Sequence, residues 1–263
     1  MFKYNTAICL LCKNENDYIN EWLEYHINIG IEHFYIYDNM SDIPIKNSIN
    51  SDFIDKCTIK EWNLTVEEYG NIQILCYDNC LHFFKNEAKW IAFIDADEFI
   101  DIKSKLNINE FLEQYDKHDG LYVDWVTYNA NGKIKKEDKP VRERFTTTCP
   151  YYKDVRGKCI VKSREIFGMS PHFPIMPKNV NVIVDSDCNR VYTPISKGLV
   201  PIDKITINHY ITKSYEEWCN KIKRGSSVPE FERKINEFFY FNPEMKEVIK
   251  NVEWKCFTSS IER

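Results

Sequence analysis

Asp95 and Asp97 stand one residue apart at the end of the apolar run Trp90-Ile91-Ala92-Phe93-Ile94, with Glu98-Phe99 directly after them. A continuous apolar run of this length reads as a strand buried on both faces, and in open α/β sheets ligands bind beyond the carboxyl ends of such strands. Two carboxylates at that point suit a hard divalent cation such as Mn2+ or Mg2+, which neutralises phosphate oxygens, and the small Ala96 leaves room for a ligand. The bland reading of the same letters is an acidic strand-to-turn junction, since Asp is a common turn residue. Asp124 interrupts the apolar segment Leu121 to Val126, a placement that is costly unless the charge is paired or functional. Cys9 and Cys12 form a C-x-x-C without a second pair at matching distance, which favours buried thiols over zinc, a disulfide framework or a redox pair.

The elements that must position these groups follow from periodicity. Thr6 to Leu11 is a strand candidate, followed by the polar loop Lys13-Asn14-Glu15-Asn16. Tyr18, Ile19, Trp22, Leu23, His26 and Ile29 recur at helical spacing, with Asn16 or Asp17 as the expected cap and Gly30 as the left-handed stop. Ile31 to Tyr37 returns to a strand pattern that closes on Asp38-Asn39, so a strand-helix-strand unit opens the chain. Cys57 to Trp62 predicts another strand, and Ile72, Leu75, Cys76, Asn79, Cys80 and Phe83 mark a helical face before the Trp90 strand. Beyond Val126 the texture shifts to shorter strands and polar turns, with a helix expected over Ser214 to Arg224 and a tail from Phe231 that mixes aromatics with charge. The first half is therefore α/β, of the kind that builds parallel sheets with helices on both faces, and α+β character is expected beyond Val126.

Composition sets bounds on function. The 263 residues carry a net charge of -5 and a pI near 5.8, against the basic face of a duplex nucleic-acid binder, so an anionic ligand must be held locally. With only eight glycines and neither G-x-G-x-x-G nor G-x-x-x-x-G-K-[ST], phosphates are not held by a glycine-rich loop, and a bound nucleotide needs a metal. Met1-Phe2-Lys3-Tyr4 opens no signal peptide, and no apolar run approaches the ~18 residues of a membrane span, so the expected location is cytoplasmic. Phe and Tyr, 16 each, could line a sugar-stacking cleft, although core packing uses most of them.

Four segments, in order, resemble glycosyltransferase families 2 and 92. They are Cys9 to Glu15 with Glu21 to His26, then Ile29 to Asn39, the D-x-D strand Trp90 to Phe99, and Ile207-Asn208-His209-Tyr210-Ile211-Thr212-Lys213-Ser214-Tyr215-Glu216-Glu217, which is similar to the group's H-Y-x-x-K-S-x-E-E segment. Thr127 to Gly132 matches the family's F-G-S-x-G loop only loosely. The resemblance implies an α/β GT-A fold, a mixed central sheet flanked by helices, over residues 1–225, with a nucleotide-sugar half at about 1–100 and an acceptor half at about 101–225, followed by a helical tail over 226–263. It implies an inverting hexosyl transfer, galactose from UDP-galactose being the sugar best associated with family 92, with Mn2+ or Mg2+ as cofactor. It places Asp95, Asp97 and His209 on the metal and Lys213 near the departing phosphates. By position, Cys12, Asn14 and Glu15 in the loop after the first strand would contact the nucleoside, and Asp38 and Asn39 after the second strand the base or ribose, with a helix-cap role for the first loop and a turn role for the second as the alternatives. Such a transfer needs a general base: Asp124 is the first choice, Glu98, His172 and Glu216 are alternatives, and Arg156 with Lys158 would bind acceptor or phosphate.

The acceptor expected for this class is a glycan or lipid-linked saccharide in surface polysaccharide synthesis, reached on the cytosolic face of the membrane. Peripheral attachment would use the basic cluster Lys221-Ile222-Lys223-Arg224. Two rival readings stand beside this one. A haloacid-dehalogenase-like phosphatase also ends an apolar strand in D-x-D, with Asp185 and Asp187 as later metal ligands. A non-catalytic sugar- or nucleotide-binding module would use the acidic pair to bind calcium alone.

Overall fold

The strand candidates form because their side chains alternate between two apolar cores. A computed structural model describes residues 1–149, 154–176, 182–197, 201–229 and 232–250. In β1 (Tyr4–Cys12), Ile8, Leu10 and Cys12 face one core, while Ala7 and Cys9 face the other. The first core is closed by Trp22 and Leu23 of α1 (Ile19–Asn28). Next come β2 (His33–Asp38), a single 3-10 turn at Ile45–Asn47, α2 (Ser51–Ile54), β3 (Cys57–Glu61) and α3 (Val66–Tyr69). The second core is closed by Cys76, Tyr77, Cys80 and Leu81 of α4 (Ile72–Phe84), which leads into β4 (Ala88–Phe93). Burial on both faces explains why these strands read as nearly unbroken apolar runs. It also separates Cys9 from Cys12, which point to opposite sides of the sheet, and the cysteines among the described residues are free thiols.

The second half carries β5 (Glu98–Ile102), α5 (Ile108–Glu113), β6 (Gly120–Thr127), α6 (Val141–Arg144) and β7 (Asp154–Lys162). The short strands β8 (Gly168–Met169), β9 (Pro174–Ile175), β10 (Ile183–Val184) and β11 (Ile195–Lys197) follow, then β12 (Ile205–His209), α7 (Tyr215–Arg224), α8 (Ile235–Phe241) and α9 (Met245–Lys250). The main sheet runs β3-β2-β1-β4-β7-β6-β12-β5 and is mixed: β3, β2, β1 and β4 are parallel, β7 is antiparallel to both β4 and β6, and β12 is parallel to β6 but antiparallel to β5. β10 pairs with the start of β6 and β11 with β7, and a small third core joins α7, α8 and α9 through Trp218, Phe238 and Met245. Among the described residues no helix is long and apolar enough to cross a membrane.

Two local expectations are corrected. Tyr18, not Asn16 or Asp17, holds the cap position of α1, because the Asn16 amide is spent on Ile43 O and Ser48 Oγ, and the Glu15 carbonyl accepts the N–H groups of Tyr18 and Ile19 instead. Gly30 ends that helix at φ +102 as expected. On α4, Ile72, Cys76 and Cys80 are buried, but Leu75 and Phe83 face outward.

Gly157 fixes how closely β7 approaches β6. It sits opposite Asp124, and a Cβ there would lie 2.1 Å from the Val123 carbonyl oxygen, a backbone atom that cannot turn aside. Gly157→Ala is therefore expected to cost at least about 1–3 kcal/mol through overpacking and to lower the thermal midpoint. An unchanged midpoint in thermal unfolding followed by circular dichroism would sink this account of the β6–β7 contact.

Candidate active site

The parallel strands end at one edge of the sheet, and a cavity of about 670 Å3 opens there. Ile94 extends the apolar run past β4, and the chain then turns sharply through Asp95-Ala96-Asp97. The turn is closed reciprocally: Asp95 N–H donates to Glu98 Oε2 (2.8 Å), and Glu98 N–H donates to the Asp95 carbonyl (3.1 Å). Trp22 Nε1 anchors the Glu98 carbonyl at 2.8 Å, and Tyr210 N–H anchors the Asp97 carbonyl at 2.8 Å, which ties the turn to α1 and to the end of β12. The Asp95 side chain accepts from Gln73 Nε2 at 2.9 Å and from the buried Lys158 ammonium at 2.9 Å. Burial opposes the charge on Lys158, yet Asp95 and then Glu98 raise its pKa above the ordinary lysine value. Glu98 is fully buried and does not line the cavity; burial pushes its carboxyl well upward, because Lys158, at 3.7 Å, stays too distant to offset the lost hydration.

Asp97 faces the cavity from the other side of Ala96. Its Oδ2 accepts from Lys221 Nζ, and its Oδ1 lies 3.7 Å from His209 Nε2. Burial raises the Asp97 pKa, but Lys221, His209 and Lys213 outweigh it and hold the carboxyl well below the usual range. Burial draws His209 down to about 3 against the pull of Asp97, so its imidazole is neutral, the form that ligates metals. Lys221 is drawn down to about 8 by burial, with Asp97 opposing. Among the described residues no three His, Cys, Asp or Glu side chains converge into a complete metal site. Asp97 and His209 nevertheless supply a carboxylate and a neutral nitrogen on the cavity wall, with Asp95 beside them. That donor set fits a cation such as Mg2+ or Mn2+, which is bound by one or two carboxylates and takes its remaining ligands from phosphate and water.

Around this pair the wall is cationic. Arg156 and Lys158 come from β7, Lys221 and Arg224 from α7, and Arg233 from the segment before α8. Lys221 and Arg224 correct the expectation of a membrane-facing basic cluster. With Glu217 they fall at i, i+4 and i+7, so one stripe of α7 points inward, and Lys221 binds Asp97 while Arg224 binds Glu15 and the Lys13 carbonyl. Lys223 faces outward. Glu15 Oε2 and His209 Nδ1 are buried on this wall without a hydrogen-bond partner, two polar atoms that a bound ligand can satisfy.

The other expected residues divide. Cys12, Glu15 and Asn39 line the cavity together with Asp95, Asp97 and His209. Asn39 is held by donating to the carbonyls of Trp62 (2.7 Å) and Leu64 (2.8 Å). Asp38 does not line the cavity: its carboxylate accepts the N–H groups of Ser41 and Ile45, the turn role. Asn14 is likewise used locally, exchanging hydrogen bonds with Ser41 and Asp42. Lys213, at φ +50, rests over the Tyr18 ring and 3.9 Å from Glu15 Oε2, behind the wall rather than on it. Of the four groups considered as base, Asp124 is buried away from the cavity, Glu98 is enclosed, and Glu216 accepts from Lys136 on the outside. His172 alone reaches the cavity. Its Nδ1 donates to the Gly157 carbonyl at 3.0 Å, which leaves the lone pair on Nε2, and burial followed by Lys158 lowers it to about 4. Trp125 lies between the two imidazoles, 5.2 Å from His172 and 4.3 Å from His209. Gln73, Trp125 and Arg233 escaped the sequence reading; only the isolated Trp125 at the end of an apolar strand gave a signal.

Comparison with known proteins decides the family. The model of glycosyltransferase family 92 matches residues 5–255. The chain belongs to glycosyltransferase family 92. A family 92 protein from Ricinus communis is 30% identical over 229 residues, covering 84% of this chain and 38% of the relative. A family 92 protein from Oryza sativa subsp. japonica is 23% identical over 220 residues, covering 82% and 34%. A galactan beta-1,4-galactosyltransferase from Arabidopsis thaliana is 23% identical over 172 residues, covering 59% and 32%. The chain thus spans about a third of the length of these relatives. For this family 92 chain the phosphatase reading also loses its second metal half, because Asp185 accepts the Asp187 and Asn189 N–H groups in a turn that does not line the cavity.

Proposed function

We propose that this chain is a metal-dependent, inverting glycosyltransferase of the GT-A fold that moves a hexose, assigned as galactose, from a UDP-sugar to a glycan or lipid-linked saccharide. The observation that carries the reading is the gathering of Arg156, Lys158, Lys221, Arg224 and Arg233 around the Asp97–His209 pair, in a chain of net charge -5. Such a wall suits a diphosphate bound through a divalent cation. The name of the Arabidopsis relative, a galactan beta-1,4-galactosyltransferase, supports galactose as the sugar and a galactan-like acceptor. The mixed sheet with its acidic turn after β4 supports the GT-A fold.

A cation held by Asp97 and His209, with Asp95 alongside, would neutralise charge on the diphosphate. The lysines and arginines of the wall stabilise the charge that grows on the leaving group, which is worth most in a site shielded from water. His172 Nε2 accepts the proton of the acceptor hydroxyl. The hydroxyl oxygen forms the new bond to the anomeric carbon while the bond to the phosphate oxygen breaks, and its electron pair departs with UDP.

The test is a panel of UDP- and GDP-sugars with Mn2+ and oligosaccharide acceptors, reading released nucleoside diphosphate. Release is expected from a UDP-hexose and is lost in EDTA. His172→Gln is expected to lower kcat roughly 100-fold with nucleotide-sugar affinity retained. A folded protein that binds the donor without ever releasing nucleotide would fit the binding-module reading instead, and an unchanged kcat in the variant would remove His172 from the base role.

A further inference from the structure

Beside the main cavity lies a smaller hollow of about 280 Å3, lined by Ile211, Trp218, Arg233, Glu237, Tyr240 and Phe241. Apart from Arg233, which it shares with the main cavity, the donor chemistry uses none of these residues. Ile211 and Arg233 line both spaces, so the two are neighbours across a shared wall. The hollow sits where α8 packs on α7, and its floor is Trp218, buried in the third core with its indole N–H donated to the Lys234 carbonyl at 3.3 Å. Tyr240 is 56% exposed at the hollow and stands edge-on to Phe241 with centroids 5.1 Å apart.

We infer that this hollow is the acceptor subsite, taking a sugar ring of the saccharide next to the reacting one. The lining matches the two surfaces of a pyranose. Its C–H face is weakly positive and apolar and lies against the negative faces of aromatic rings, while its hydroxyls both donate and accept. Tyr240 and Phe241 offer the rings, the Glu237 carboxylate accepts, and the Arg233 guanidinium donates. Few polar groups converging on an apolar, concave wall is the general form of a small-molecule site. Arg233 borders both cavities, so an oligosaccharide seated here extends toward the metal pair rather than away from it. The same geometry accounts for the aromatic character of residues 238–241, which the core uses only in part: Phe238 is fully buried, whereas Tyr240 is exposed.

This inference rests on the transferase reading, so the experiment measures the two separately. Titrations of wild type, Tyr240→Ala and Phe241→Ala with short β-linked galacto-, gluco- and xylo-oligosaccharides are followed by calorimetry. UDP-sugar affinity and thermal midpoint are measured on the same samples. Wild type is expected to bind at least one oligosaccharide series, and each variant is expected to bind it roughly tenfold more weakly with UDP-sugar affinity retained. Saturation-transfer NMR on the bound oligosaccharide adds a readout that survives if one variant is unstable: transfer to a sugar's C–H face is expected in wild type and reduced in Tyr240→Phe far less than in Tyr240→Ala. Oligosaccharide affinity that is absent from wild type, or unchanged in both variants, overturns the subsite. Failure of UDP-sugar binding in wild type overturns the transferase reading instead.

Discussion

Asp97→Asn is expected to lower turnover of the nucleotide sugar on the order of 1,000-fold in a protein that still folds, with a lowered thermal midpoint because Lys221 loses its counter-charge. The two halves of this expectation come from different atoms of one residue. The fold uses the Asp97 backbone, whose carbonyl accepts Tyr210 N–H at 2.8 Å, and an asparagine keeps that bond. The chemistry uses the carboxylate, which Lys221 and neutral His209 share in the cavity. An amide retains an acceptor for Lys221 but removes the negative charge, and a divalent cation is then left with the imidazole and with Asp95, whose carboxylate already accepts from Gln73 and Lys158. Mn2+ affinity, read by paramagnetic relaxation of water protons in the presence of UDP, should fall in parallel with turnover. Retained Mn2+ affinity alongside lost turnover would move Asp97 from holding the cation to some other task, and retained turnover would refute the role altogether. Asp95→Asn makes the same change on the other side of Ala96, where Gln73 and Lys158 are both donors and the buried Lys158 keeps only Glu98, at 3.7 Å, as a counter-charge.

Which parts of this site were legible from sequence follows from what fixes each residue. The D-x-D turn was legible because a strand buried on both faces leaves a continuous apolar run, and the acidic residues that end it can only lie at the sheet edge. Lys221 and Arg224 were misread for the opposite reason. A basic run in the last turn of a helix is usually solvated and favoured by the helix dipole, so its letters alone suggest an exposed patch. Only the seating of α7, set by contacts more than 70 residues away in sequence such as Arg144–Glu217, turns the stripe inward. The i, i+4, i+7 spacing of Glu217, Lys221 and Arg224 held that information, but nothing local said which way the stripe faced. Asp124 was singled out by a sound rule, that a charge inside a strand needs a reason, and Lys158 satisfies the same rule. Gly157, opposite Asp124 and next to Lys158, marks where the difference arises: neighbouring positions on paired strands point to opposite faces, and Lys158 lines the cavity while Asp124 does not. Asp38 and Asn14 went to turn chemistry, which competes for Asp and Asn wherever a strand ends.

Glu217→Gln is expected to destabilise the protein by about 3–5 kcal/mol at neutral pH, because it leaves the buried Arg144 guanidinium without its partner. The last Glu of the H-Y-x-x-K-S-x-E-E segment does not line the cavity. Its carboxylate takes both arms of Arg144 at 2.8 and 3.0 Å, the Tyr18 hydroxyl at 2.8 Å and the Ser214 hydroxyl at 2.6 Å, while Glu217 N–H donates back to Ser214 Oγ to complete the capping box. One side chain thus joins α6, the cap of α1 and the start of α7, and α7 delivers Lys221 and Arg224 to the cavity. Burial raises the Glu217 pKa, but Arg144 and Ser214 outweigh it and bring it down to about 2 from 4.5. The folded value lies below the unfolded one, so this stabilisation is fully present above pH ~4.5 and is lost as pH falls toward 2, a span worth about 3 kcal/mol. Urea unfolding at pH 7 and at pH 3 measures both halves. Wild type should lose more stability than Glu217→Gln across that interval, and the gap between them should narrow. A gap equally wide at both pH values would mean that the variant's defect is one of shape, and that the charge on Glu217 does not hold Arg144 and the cavity-lining stripe of α7 in place.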